Sequence, residues 1–77
     1  MKYSIFRTRF TKNGRTPKKN YVLMGETNNL NEAKKIFNKA KKDTIDLKEW
    51  QMQITELWLE TTLIDVDERR KSWSLRK

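Results

Sequence analysis

At 77 residues with a net charge of +8, the chain suffices for one small domain spanning 1–77, which buries only about 60% of the surface its unfolded form exposes and has no spare core for a deep catalytic cleft. Cysteine and histidine are both absent, which removes disulfides, thiolate chemistry, Cys- or His-based metal sites and the commonest general base. No apolar run approaches the roughly 20 residues of a membrane span, and the opening MKYSIFRTRF has no signal-peptide stretch, so the expectation is a cytoplasmic protein with no membrane partner, no cofactor and no metal.

Residues 3–10 are rich in aromatic and β-branched side chains, 21–24 form a second apolar run, and Asn13-Gly14 between them is a hairpin signal. A two-residue turn at Asn13-Gly14 predicts that Lys12 faces Arg15, Phe6 faces Tyr21, Ile5 faces Val22 and Tyr3 faces Met24. One face of the hairpin then collects Phe6, Phe10, Pro17, Tyr21 and Leu23, and the other runs from Tyr3, Ile5, Val22 and Met24 into Arg7, Arg9 and Lys18. Pro17 has no N–H to give to a ladder, so the distal pairing is expected to open into an edge, a bulge or a wider loop.

Asn29-Leu30-Asn31-Glu32 has an N-cap residue with an acid three positions on, the pattern of a helix start, and the helix is expected to run to about Lys42. Leu30, Ala33, Ile36, Phe37 and Ala40 fall on one arc, while Lys34, Lys35, Lys39, Lys41 and Lys42 spread over the opposite side. Lysines late in a helix also suit its negative end, which is a purely structural reason for their position. From Trp50 onward two periods compete. Trp50, Met52, Ile54 and Trp58 alternate with polar residues as a strand does, but Leu47, Trp50, Ile54, Leu57 and Trp58 also share a helical face. The β-branched stretch 61–66 needs a partner strand, which favours a second hairpin over 50–58 and 62–70. Residues 69–77 either extend the last strand or form a flexible basic tail.

The resulting fold class is α+β, a ββαββ arrangement with one helix packed on a mainly antiparallel sheet. Its expected core is Leu23, Leu30, Ala33, Phe37, Ala40 and Ile54 with one or both of Trp50 and Trp58.

Charge is segregated along the chain. Residues 1–25 hold seven bases and no acid, 50–68 hold five acids and no base, and 69–77 hold five bases. Such a chain can pair its own halves and leave one positive face for a partner. The connection 11–20 carries four cations, Lys12, Arg15, Lys18 and Lys19, more than a turn requires. With Arg7, Arg9, the helix residues Lys35, Lys39 and Lys42, and Arg70 and Trp73 in the tail, they form the candidate binding set for phosphate or for an acidic protein surface. The bland alternative is that the aromatics are core and the lysines keep a small domain soluble.

For chemistry, Asp65, Asp67 and Glu68 are the only clustered carboxylates, and a strand would place the two aspartates about 7 Å apart on one face. Without a third ligand, a Gly-rich loop or a general base, charge balance is the simpler reading of them. No phosphate loop, zinc finger, recognition-helix motif or RNP aromatic signature is present, so the chain is expected not to be an enzyme and not to read bases specifically.

The short hairpin with KNGR at its turn, followed by NNLNEAKKIFNKAKK, resembles the arm-type DNA-binding domain of phage and transposon tyrosine recombinases, with Glu32-Ala33-Lys34-Lys35 matching the "EAKK"-like opening of that family's helix. In that family the sheet enters the major groove, which implies groove contacts for Arg7, Arg9, Lys12 and Arg15. The family has a third strand before its helix, whereas only 25–29 is available here. The Lys- and Asn-rich composition is also similar to that of small accessory proteins of phages and mobile elements, some of which inhibit host or defence proteins. Two functions follow as expectations: a non-catalytic nucleic-acid-binding protein acting on DNA or RNA, or a protein-binding inhibitor or adaptor, in either case a monomer or homodimer.

Overall fold

A computed structural model describes residues 1–11, 18–43 and 52–70. The elements run β1 (Tyr3–Thr11), β2 (Lys18–Thr27), α1 (Leu30–Lys42), β3 (Met52–Leu59) and β4 (Thr62–Arg70). The four strands form one antiparallel sheet in the order β2-β1-β3-β4, and α1 packs on β1, β2 and β3. This is the expected ββαββ arrangement, with two strands before the helix and two after it. In the 47–60 region the strand period wins from Met52 onward. Strand β3 has a neighbour on each edge, and the β-branched run of β4 supplies one of them.

Helix α1 begins where the capping residues place it. Asn29 Oδ1 accepts from the Glu32 N–H at 3.0 Å. The Glu32 carboxylate accepts from the Thr27 hydroxyl at 2.6 Å, and Thr27 Oγ1 in turn accepts the Asn29 N–H at 3.1 Å. The start of the helix is thus tied to the last residue of β2. At the other end, Lys39, Lys41 and Lys42 occupy the last turn, where they complement the dipole.

The register of the first hairpin differs from the sequence expectation by two residues. Thr11 faces Lys18, Thr8 faces Tyr21, Arg7 faces Val22 and Phe6 faces Leu23. Residues 12–17, including Asn13-Gly14 and Pro17, lie outside the described residues. A shift of two preserves which residues share a face, so the expected grouping of Phe6, Phe10, Tyr21 and Leu23 survives it. Between Ile5 and Phe6 the ladder skips Met24, after which Ile5 faces Gly25 and Tyr3 faces Thr27. The bulge brings Gly25 beneath the helix. A Cβ there would meet Ile36 Cδ1 at 3.1 Å, a tight contact that the Ile36 side chain would have to shift by a few tenths of an ångström to admit.

The second hairpin turns through Glu60 and Thr61, between the facing pair Leu59 and Thr62. Glu60 takes φ 54°, the left-handed conformation such a tight turn demands, and its N–H donates to the Lys2 carbonyl at 3.0 Å. A second ladder irregularity leaves Ile64 as the extra residue opposite Leu57 and Trp58.

The core is Ile5 and Leu57 from the two central strands with Ala33, Phe37 and Ala40 from the helix, joined by the partly buried Tyr3, Met24 and Ile36. Ala33, Phe37 and Ala40 are core as expected. Leu23 and Leu30 are corrected, being 47% and 39% exposed, and Ile54 and Trp58 are only half-buried. Trp50 lies outside the described residues. The reason is the choice of sheet face. One 13-residue helix, about 10 Å wide with its side chains, covers one side of a four-stranded sheet, and that side carries Ile5 and Leu57. Leu23, Ile54 and Trp58 belong to the other.

Candidate nucleic-acid interface

The expected binding residues separate into three groups. Arg7 and Arg9 point to the helix side of β1, where Arg9 is 4% exposed. Arg9 Nε donates to Gln53 Oε1 at 2.8 Å and its Nη2 to the Asp43 carbonyl at 3.1 Å. Gln53 Nε2 donates to the Ala40 carbonyl at 3.3 Å. Both side chains therefore bond carbonyls at the C-terminal end of α1, where intrahelical donors run out and the Ala40 carbonyl otherwise has the Asp43 N–H at 3.3 Å. Arg7, with its side chain 14% exposed, lies 3.7 Å from the Asp43 carboxylate. These two arginines hold the helix to the sheet, and neither stands out on the surface as the charge pattern led one to expect. An arginine is buried stably only with its acceptors in place, and here Gln53 of β3 and Asp43 at the C-terminal end of α1 supply them.

The second group lies on the outer surface. Lys19 of β2 and Lys35, Lys39 and Lys42 of α1 are exposed, as is Lys34, which the expected set did not include, and among the described residues none of these lysines is held in an ion pair. Lys41 instead lies over the Phe37 ring at 5.2 Å. Arg70 is exposed and bonds Glu68 at 3.0 Å, while Arg69 bonds Asp67 at 2.9 Å. Two acids of β4 are thus engaged by arginines two positions along their own strand, on the same face. Asp65 and Asp67 share a face as expected, but no cluster of metal-binding side chains occurs among the described residues. The third group, Lys12, Arg15 and Trp73 with the side chain of Lys18, lies outside the described residues.

The side of the sheet facing away from the helix is a surface that sequence reasoning did not assign. Alternation from the registers places Ser4, Phe6, Thr8 and Phe10 of β1, Lys19, Tyr21, Leu23 and Glu26 of β2, Met52, Ile54, Glu56 and Trp58 of β3, and Leu63, Val66, Glu68 and Arg70 of β4 on it. No other described element covers this face. Phe6 and Tyr21 stack with centroids 5.1 Å apart and planes at 10°, and the Lys19 ammonium lies over the Phe10 ring at 5.7 Å. Tyr21 is 56% exposed. The face is divided: the β1/β2 half is aromatic and cationic, whereas the β3/β4 half is largely aliphatic, and Trp58 there donates from Nε1 to Glu56 at 3.3 Å. The signal was in the sequence. Phe6, Phe10, Tyr21 and Leu23 share a strand face, and one helix cannot cover both sides of the sheet.

Comparison with protein-family models, with curated proteins and with solved structures returns no match. Among the described residues no helix is long and apolar enough to cross a membrane.

Proposed function

We propose that this chain is a non-catalytic nucleic-acid-binding protein, a reading supported most by Lys34, Lys35, Lys39 and Lys42 on α1, which are exposed and without an ion-pair partner among the described residues. Lysines left without anions on a protein of net charge +8 attract a polyanion through counterion release, with no requirement for base sequence. Lys19 on the first hairpin adds to this field, as do Lys12, Arg15 and Lys18 by their place in the chain. Arg7 and Arg9 drop out of the set because they are committed to the end of α1.

The test is a salt series. Replacing Lys34, Lys35, Lys39 and Lys42 together by glutamine should weaken binding to mixed-sequence DNA and RNA alike and reduce the slope of log affinity against log salt by about 0.7 to 0.9 for each phosphate that is no longer neutralised. Circular dichroism should be unchanged, since all four are exposed. An unchanged slope, or no retention on any nucleic acid at low salt, removes the proposal.

A second reading, a protein-binding inhibitor or adaptor of the phage accessory kind, draws on the exposed Leu23, Leu63 and Val66 of the uncovered sheet face. A partner retained through nuclease treatment and high salt separates it from the first.

A further inference from the structure

The uncovered sheet face and the helix lysines lie on opposite sides of a molecule whose smallest dimension is 17 Å, and a nucleic-acid ligand has to be reconciled with both. Duplex DNA, with a persistence length of about 50 nm, meets one side only. A single strand bends within a few nucleotides and follows both. The cations nearest the β2 edge support such a path: Lys19 stands on the uncovered side of β2, and Lys39 lines the cleft between α1 and Met24 of the same strand.

The chemistry of the uncovered face points the same way. Its β1/β2 half presents rings, Tyr21 being more than half exposed and stacked on Phe6, beside a ring with a cation above it. Glu26 is the only acid in β1 or β2, and it is paired with Lys2 at 3.6 Å. Unpaired bases offer flat π surfaces and phosphates together, the two features this half complements. In a duplex those surfaces are already stacked on one another. A protein partner would find the more aliphatic β3/β4 half more favourable, and that half carries Glu56, which repels phosphate, and Glu68, whose charge is paired with Arg70 at 3.0 Å.

Resting on the nucleic-acid reading above, we infer that the ligand is single-stranded, a base stacking on Tyr21 on the uncovered face of the β1/β2 hairpin while Lys19, seated over Phe10, and Lys39 hold its phosphates.

Fluorescence anisotropy with labelled oligothymidylate and oligouridylate of about 12 nucleotides, inside the site-size range of single-strand binders, against a duplex of equal length tests this. Single strands are expected to bind at least about tenfold tighter than duplex. Tyr21→Ala should cost about tenfold on single strands, the scale of one base–aromatic stack, with the salt slope and duplex affinity unchanged. Tyr21→Phe, which keeps the ring stacked on Phe6, should retain wild-type affinity, and the unchanged duplex affinity of Tyr21→Ala excludes loss of fold as the cause. Duplex bound as tightly as single strands, or Tyr21→Ala without effect, overturns the inference while leaving general nucleic-acid binding intact. Failure of every nucleic acid to bind removes the underlying reading as well. A concentration-dependent dimer that Leu23→Asp dissolves, and that excludes oligonucleotide, would show the face to be covered by a second copy and would also overturn the inference.

Discussion

The two sides of this sheet are made from the same strands and the same alternation, yet among the described residues one is closed and the other open. On the closed side Ile5 and Leu57 are fully enclosed against Ala33, Phe37 and Ala40, and even an arginine, Arg9, is buried with its partners supplied. On the open side, side chains of equal or greater size, Phe6, Phe10, Tyr21, Ile54 and Trp58, achieve only partial burial or remain exposed. Hydrophobicity alone therefore did not decide which residues became core. The position of one helix did, because apolar surface is removed from water only where another layer covers it.

If that contrast holds, truncation on the two sides should differ severalfold. Leu57→Ala is expected to cost about 2 to 5 kcal/mol in urea unfolding, the range for an enclosed leucine. Leu23→Ala, at 47% exposed, should cost less than about 1 kcal/mol. Equal costs would mean that the open side is covered in solution. Next in size, Arg9→Met should destabilise by about 3 kcal/mol, since it leaves Gln53 Oε1 and the Asp43 carbonyl without their donor. Full stability of that variant, read from the same urea midpoints, would return Arg9 to the set of candidate phosphate-binding residues. The smallest effect concerns Thr55, fully enclosed beside Arg7 and Asp67 with its hydroxyl unbonded. Thr55→Val should leave thermal stability unchanged or raise it by up to about 1 kcal/mol, and a marked decrease would show that the hydroxyl has a partner in solution.

Much of the architecture was legible. The helix bounds followed from Asn29 and Glu32 at one end and the lysine-rich last turn at the other, and the second hairpin followed from alternation in 52–58 and the β-branched run after it. The register of the first hairpin was not legible, because a two-residue turn at Asn13-Gly14 would set Phe6 opposite Tyr21, whereas the described ladder sets Phe6 opposite Leu23 and Thr11 opposite Lys18. Arg7 and Arg9 were hard to place for a related reason. A cation in a strand reads as exposed unless the end of a helix is known to lie over it, and Asp43 is more than thirty positions away in the chain. The aromatic face is visible in the sequence as a grouping, yet rings at strand spacing read as core until the covering layer is located.

Local signals sufficed for the helix, for the strands of the first hairpin and for the two sides of each strand, because capping and side-chain period are carried by neighbouring residues; for the segment that becomes β3 they left helix and strand both open. Tertiary packing set which side the helix covers, and with it which aromatics remain open and which arginines are enclosed. That choice depends on contacts such as Gly25 with Ile36 and Arg9 with Asp43, made between residues whose separation along the chain leaves no periodic trace.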